Sequence, residues 1–176
     1  AKTHSTTILE QIDSLLKWTG KKLDEIENVI VSIGPGSFTG VRIAISVVKG
    51  LFFGRNVNFY EVNELDALGF QGYYNLKTSL ENDEDVKIYS MIDSRKEKIY
   101  CAGYETSSEN KLKLVKKYEV TKLENVINEI IENKGNNKKV YLIGDAVFNY
   151  KAKILDKLGY FVKIFEDKNL AINTMT

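Results

Sequence analysis

The sequence is poor in the residues that build disulfides and metal sites. Its 176 residues include one cysteine, one histidine and one proline. Cys101 alone cannot form an internal disulfide, which is typical of a reducing compartment, so we expect a cytoplasmic protein. A metalloprotease HExxH site needs two histidines and a Cys/His zinc site needs several ligands, so His4 excludes both within one chain. No apolar run approaches the ~20 residues of a membrane span.

The charge is almost balanced. Lysine and arginine number 25 against 24 acidic residues, a net charge of +1, so no global basic field indicates nucleic-acid binding. The composition is 43% hydrophobic and 28% charged, which is typical of a globular domain. The length allows one large domain or two small ones. Because residues 75–85 are polar and lack a core pattern, we predict an N-terminal lobe at 1–78 and a C-terminal lobe at 84–176.

The most informative stretch runs from Val29 to Gly54. A β-branched run predicts a buried strand, and Ser37 is the predicted N-cap of a helix that ends near Gly54. At about 100° per residue, the apolar residues of this helix fill an arc roughly twice as wide as a surface helix needs. They are Val41, Ile43, Ala44, Ile45, Val47, Val48, Leu51 and Phe52. Such a helix needs cover on two sides: its own sheet, and a second helix, a domain or another chain.

The turn before this helix is rich in glycine. Free amides at a helix N-terminus can bind an anion, which makes Gly34, Gly36, Ser37, Thr39 and Gly40 candidate contacts for an anion or a nucleotide. The spacing matches neither the dinucleotide fingerprint nor the Walker loop. The alternative, which we favour, is that the glycines make a tight turn and let another helix approach closely.

The remaining elements suggest a duplication. An amphipathic helix over residues 4–18 precedes the central stretch, and a strand and a helix follow it, so the first half reads αβαβα. The second half reads βββαβαβ, with its first helix opened by a Thr121–Glu124 capping box. Overlaid, the halves become two copies of βββαβαβα, the first without its three leading strands and the second without its closing helix. We therefore expect roughly 25–35 further residues before Ala1.

Two acidic residues and one lysine-rich strand each have a structural and a functional interpretation. Asp93, on a hairpin turn with Arg95 and Glu97, is expected to bond its own backbone rather than form a site. Asp145 is expected to cap a helix rather than to face a ligand. A basic strand carries Lys111, Lys113, Lys116 and Lys117. These lysines are expected to guard a sheet edge from pairing, with tRNA contact as the weaker alternative.

Two motifs resemble one known family. GPGSFTGVR, followed by an apolar helix and KGL, and the later MIDSRKEKIY resemble the bacterial TsaB (YeaZ) family, which builds threonylcarbamoyladenosine on tRNA. The resemblance implies an α/β, actin-like ATPase or sugar-kinase-like fold with two βββαβαβα copies. It also implies a catalytically degenerate partner of TsaD, the transferase that holds the metal, with TsaE as a further ATPase of the assembly. TsaD-like metal binding takes two histidines from one helix, so the lone His4 argues against a metal and against the old glycoprotease label.

This resemblance supplies a partner for the wide apolar arc. The helices at 4–18 and 38–53 would pair with the equivalent helices of TsaD, or with a second copy of this chain. The predicted partner-binding residues are Leu9, Leu16, Val41, Ile45, Val48 and Phe52. We expect no catalytic residues, no tightly bound cofactor, and tRNA contact through the complex only; ATP or ADP at the partner interface stays open. The rival reading is an ATP-dependent phosphotransferase that uses the cleft between the lobes, but no acid/base pair converges by spacing.

Overall fold

The computed structural model describes residues 4–77, 85–107, 111–133 and 138–165. The chain divides into two compact units, Ala1–Glu64 and Leu65–Thr176. The predicted lobe boundary at 78–84 lies outside the described residues. The units divide earlier because the helix that begins at Glu64 places its apolar residues in the core of the second unit.

The first unit contains two helices and a parallel strand pair. Its elements are α1 (His4–Thr19), a 3₁₀ turn (Leu23–Glu25), β1 (Asn28–Ser32), α2 (Phe38–Leu51) and β2 (Asn58–Val62). β1 and β2 are parallel, with Val29 opposite Phe59. α2 connects them and contacts both β1 and α1. The predicted strand, turn and helix are present, but the strand is not buried as the β-branched run predicts: Val29 is buried, whereas Ile30 is exposed. α2 ends before Gly54, which has a φ of +72° in the following turn.

Very little of the first unit is buried. Among its described residues, Val29 and Phe52 are the only hydrophobic side chains with an exposed fraction of 9% or less. The other apolar residues of α1 and α2 are half-buried or exposed. Because apolar surface stabilises a fold only when it leaves water, at ~25 cal/mol per Å², these helices retain unused apolar surface.

The second unit is a five-stranded mixed sheet with helices on both faces. Its elements are α3 (Glu64–Lys77), β3 (Val86–Asp93), β4 (Lys98–Thr106), β5 (Leu112–Lys122), α4 (Leu123–Glu132), β6 (Lys139–Ile143), α5 (Asp145–Asn149), α6 (Lys151–Leu158) and β7 (Val162–Ile164). The strand order is β5-β4-β3-β6-β7. β3 is antiparallel to β4 and parallel to β6. The predicted βββαβαβ order is confirmed, with the last predicted helix divided into α5 and α6. The three strands expected before Ala1 stay a prediction.

Alternation along β3 builds the two cores of this unit. Successive side chains of a strand point to opposite faces of the sheet. Ile88 and Ile92 join Leu68 of α3 in one buried cluster. Tyr89 and Met91 join side chains of α4 and α6 in the other. Each fully buried aliphatic side chain contributes ~1.5–3 kcal/mol, so the second unit has the core that the first lacks.

The predicted capping box at Thr121 and Glu124 is wrong. β5 continues through Lys122, which pairs with Lys98 of β4, so Thr121 is still part of the strand. α4 begins at Leu123 without a side-chain cap. The backbone amide of Leu123 donates instead to the carbonyl of Glu97 at 3.1 Å, which ties the start of α4 to the β3–β4 hairpin.

Candidate interaction surface and glycine-rich turn

The glycine-rich turn is fixed by bonds within the first unit. Gly34 has a φ of +86°, and its amide donates to Ser32 Oγ at 3.2 Å. Ser32 Oγ donates in turn to Glu64 Oε1. The backbone amide of Glu64 donates to the Gly34 carbonyl at 2.8 Å. The sequence Gly34-Pro35-Gly36 therefore leads into α2 through a turn held on Glu64.

The predicted cap of α2 is confirmed. Ser37 Oγ accepts the amide of Gly40 at 3.3 Å. Two of the amides predicted to meet an anion, those of Gly34 and Gly40, thus already have acceptors inside the chain. The Glu64 carboxylate adds negative charge beside the turn, which disfavours an anion there. These bonds add no support for an anion site, and anion contact stays a prediction for Gly34, Gly36, Ser37, Thr39 and Gly40.

The alternative reading of these glycines, a close approach by another helix, finds no such neighbour in the described part of the chain. A Cβ placed on Gly36 meets no atom within 4 Å. A Cβ on Gly40 meets only Ser37 of its own turn, at 3.3 Å. Among the described residues, this backbone is therefore open on its outer side.

One side of α2 faces the strands of its own unit. Phe52 is 8% exposed and its ring packs edge-on against Phe59 of β2, with 6.3 Å between ring centroids. Val41 Cγ2 lies 3.5 Å from the position of a Cβ on Gly34. Ile45 and Val48 share this side of the helix by 3.6-residue periodicity and are half-buried. A helix laid on a sheet turns one side inward, so the Phe52 ring contributes to the packing of its own unit. Partner contact at Val41, Ile45, Val48 and Phe52 stays a prediction.

Other apolar residues of α2 face a surface concavity. A concavity of about 320 Å³ is lined by Phe38, Thr39, Arg42, Ile43, Ser46 and Val47. Phe38 is 70% exposed, with the Arg42 guanidinium 3.7 Å from its ring centroid. No residue of α2 is buried. The side of α2 that a partner would cover stays a prediction, because the width of the arc does not tell which flank meets the strand and Ile43 and Val47 are half-buried, as Ile45 and Val48 are. Phe38, on the polar stripe with Arg42 and Lys49, is an exposed aromatic residue that the width of the arc did not indicate.

α1 presents exposed apolar residues as well. Trp18 is 83% exposed, and Leu15 and the predicted Leu9 are also exposed. Leu16, the other predicted contact on α1, is half-buried. Leu15 and Trp18 line a concavity of about 500 Å³ together with polar residues of α1. Just after α2, Phe53 is 89% exposed. We use the name apolar helix surface for Leu15, Trp18, Phe38, Ile43, Val47 and Phe53.

The acidic candidates of the second unit are used in structural bonds. Asp93 Oδ1 accepts the amide of Arg95 at 2.8 Å, which confirms the predicted turn. Asn149 Nδ2 and the Tyr150 hydroxyl also donate to Asp93, at 2.9 and 3.2 Å. Asp145, the first residue of α5, accepts the amide of Asp93 at 2.9 Å. Burial raises the pKa of Asp145, against the opposing effect of the amides of Asp93 and Ala146.

The lysines of the basic strand are not all available for an external partner. β5 is the last strand at one side of the sheet, where edge-guarding lysines are expected. Lys116 Nζ, however, binds Glu129 Oε2 at 2.5 Å and Glu119 Oε1 at 2.9 Å, so it neutralises neighbours in its own unit. Within the described residues, no group of three or more His, Cys, Asp or Glu side chains could hold a metal ion. None of the described helices has the length and apolar character needed to cross a membrane.

Comparison with known proteins agrees with the resemblance in the two motifs. A family model described as TsaD, tRNA N6-adenosine threonylcarbamoyltransferase, matches residues 1–171. The tRNA threonylcarbamoyladenosine biosynthesis protein TsaB of Haemophilus influenzae is 29% identical over 56% of this chain and 39% of its own length. Escherichia coli TsaB is 30% identical over 59% of this chain and 42% of its own length. The chain thus covers less than half of these two relatives.

The fold has a solved counterpart. The crystal structure of an uncharacterized protein with similarity to peptidase YEAZ from Pseudomonas aeruginosa has a TM-score of 0.63 at 24% identity, over 86% of this chain and 65% of that one. This likeness concerns the fold, and it agrees with a mixed α/β chain. Since the family model spans nearly the whole chain and curated TsaB proteins are among its relatives, the chain belongs to the family that this TsaD model describes and, within it, to the TsaB (YeaZ) proteins.

Proposed function

We propose that this chain acts in the cytoplasm as a non-catalytic subunit that binds and activates a TsaD-type transferase in the threonylcarbamoylation of adenosine in tRNA. Its relatives carry the name of a biosynthesis protein for that modification. The observation that carries the proposal is that most residues of α2 are apolar, yet none of them is buried. In this proposal, the partner covers the apolar helix surface, and TsaE joins the larger assembly.

The physical argument concerns the cost of leaving this surface in water. Exposed aromatic side chains bury ~150–250 Å² each when covered, so Trp18, Phe38 and Phe53 offer a large gain on docking. Aromatic anchors of this kind carry most of the energy of protein interfaces. The polar residues of the two concavities, such as Arg42 and Gln11, would form the rim.

The test is a binding titration with the TsaD-type transferase of the same organism. Val47→Asp places a carboxylate in the proposed contact, and a buried unpaired charge costs several kcal/mol. We expect at least ~30-fold weaker binding, which corresponds to a hot-spot loss of ~2 kcal/mol. The matched control is Ala152→Asp, which adds the same charge at an exposed helical position of the second unit.

Two further readouts separate the alternatives. Retained transferase binding by a folded Val47→Asp chain, checked by circular dichroism, would contradict the proposal. Sedimentation equilibrium of the chain alone tests the homodimer, which should also weaken in Val47→Asp if the same surface serves a second copy. Calorimetry with ATP and magnesium tests the rival phosphotransferase: turnover or tight binding by the isolated chain would favour the enzyme over the activating subunit.

A further inference from the structure

The tip of the β3–β4 hairpin has an unusual backbone. Arg95, Lys96 and Glu97 have φ values of +67°, +53° and +58°, in the left-handed region that side chains other than glycine and asparagine rarely adopt. These three residues are consecutive and none is glycine. Substitution with glycine or asparagine would relieve their backbone strain. Strained backbone of this kind clusters at functional sites.

Hydrogen bonds hold this tip rigidly. The Lys98 amide donates to the Arg95 carbonyl at 3.1 Å, and the Ser94 amide to the Lys98 carbonyl at 2.9 Å. Asp93 accepts the Arg95 amide and is itself held by Asn149 and Tyr150. The exposed side chains of Arg95 and Lys96 are thus displayed by a fixed scaffold rather than by a loose loop.

Like charges gather at this end of the sheet. Lys98 and Lys122 are directly opposite each other in the β4–β5 ladder, an arrangement that is destabilising for like charges. Both are exposed, as are Arg95 and Lys96. None of the four side chains has an ion pair or hydrogen bond with any residue that the structure describes. We use the name basic hairpin end for these four residues.

Among the described residues, no carboxylate forms an ion pair with the four cations of the basic hairpin end. Glu97 and Glu124 both lie on Lys153, at 3.4 and 3.7 Å from its Nζ. Asp93 is engaged by three donors. A local, rigid and unpaired set of cations is complementary to a polyanion.

We propose that the basic hairpin end binds the phosphate backbone of RNA directly. The choice of RNA rests on the proposed function in tRNA modification; the charge and the rigidity do not depend on it. Phosphate contacts by lysine and arginine position a protein on a nucleic acid without reading its sequence. In this role, the chain would orient the tRNA while the transferase performs the chemistry, which revises the expectation that tRNA is reached through the complex only.

The test measures binding of an unmodified tRNA transcript to the 176-residue chain, alone and with the transferase, by fluorescence anisotropy. The variant is Arg95→Asn with Lys96→Asn, because asparagine tolerates the left-handed backbone and only the charge is lost. We expect at least ~10-fold weaker binding, and a salt slope (log K against log salt) lower by roughly 1.5 for two lost phosphate contacts. The matched control is Lys113→Gln with Lys117→Gln, which removes two charges elsewhere on the same sheet.

The outcomes are distinct. Equal tRNA affinity of the Asn variant and the unaltered chain, or an equal loss in the lysine control, overturns the inference. So does equal competition by polyglutamate, which would assign the hairpin end to an acidic protein. The Asn variant should still bind the transferase, whereas Val47→Asp should lose the transferase and keep tRNA; failure of one proposal is thereby separated from failure of the other.

Discussion

The hydroxyl of Tyr89 donates a hydrogen bond to Glu129 Oε1 at 2.8 Å and so links the centre of β3 to α4. Lys116 of β5 binds the other oxygen of the same carboxylate at 2.5 Å. Groups from three elements thus meet on one side chain that is mostly shielded from water. Because hydrogen bonds strengthen in such an environment and unmade ones become costly, this network is a sensitive point of the second unit.

Glu129→Gln should destabilise the chain. The substitution keeps the size of the side chain but removes the charge that Lys116 neutralises, so we expect a loss of about 1–3 kcal/mol in the free energy of unfolding. Urea denaturation followed by circular dichroism measures it. Glu132→Gln, an exposed position on the same helix, should change the free energy of unfolding by less than ~0.5 kcal/mol. Equal effects of the two substitutions would show that the network contributes nothing.

The same carboxylate should make stability depend on pH. Burial tends to raise the pKa of Glu129, but the hydrogen bonds from Lys116 and Tyr89 outweigh it and hold the pKa below its ordinary value. The unfolded chain therefore binds this proton at higher pH than the folded chain. The stabilisation is complete above the ordinary value of about 4.3 and is lost as the pH falls through the lowered folded value. The difference in the free energy of unfolding between wild type and Glu129→Gln should therefore narrow as the pH falls. A constant difference from pH 7 to 3 would contradict this.

Gly144→Ala should be far more damaging than Gly159→Ala. Both residues have a positive φ, but a Cβ on Gly144 would lie 2.1 Å from the carbonyl oxygen of Met91, whereas a Cβ on Gly159 meets nothing within 4 Å. The first substitution must shift backbone and should cost ~3 kcal/mol or more. The second has space for the Cβ but holds Gly159 at φ +54° and ψ −131°, a region that L-residues populate sparsely, so it should cost ~1–3 kcal/mol. Thermal unfolding of the two variants in the same buffer measures the difference. Similar melting temperatures would contradict the prediction.

Cys101 should be unreactive in the folded chain. Its side chain is fully buried, and burial raises the pKa of the thiol to about 12. The thiolate is the reactive form, so iodoacetamide at pH 8 should label the protein only after unfolding. Mass spectrometry with and without urea measures the labelled fraction. Rapid labelling without urea would mean that β4 opens readily.

Ser90→Ala should leave stability unchanged or raise it. The Ser90 hydroxyl is buried in the centre of β3 and has no hydrogen-bond partner among the residues that the structure describes. Leaving a polar group unsatisfied costs ~1–3 kcal/mol, which alanine avoids. The comparison is Thr121→Ala. The Thr121 hydroxyl accepts a hydrogen bond from Asn125 at 3.0 Å, so its removal should lower stability. A destabilised Ser90→Ala chain would point to an unseen partner of the hydroxyl.

Local sequence chemistry predicted the elements better than their surroundings. The β-branched run before Gly34, the Ser37 cap and the Asp93 turn each depend on neighbours a few residues away, and all three are present. Thr121 failed because pairing with the distant β4 kept it in a strand, and tertiary pairing overrides a capping signal.

The interaction surface shows the same limit. The width of the apolar arc on α2 was readable from 3.6-residue periodicity, but the side that meets β2 depends on the Phe52–Phe59 contact between distant segments. The clustering of cations at the hairpin end was equally hidden, because Lys122 is far from Lys98 in sequence and lies opposite it only through the β4–β5 ladder. Balanced overall charge said nothing about that clustering.

β5, eleven residues long, closes one side of the five-stranded sheet and has β4 as its paired neighbour. A strand of that length, if bare, would offer a template on which other molecules could add as fibrils. Its exposed amines at Lys113 and Lys117 make each such addition electrostatically unfavourable. Chemical acetylation of these amines would therefore remove the positive charges that oppose aggregation at this edge, while leaving the native hydrogen bonds of the strand in place.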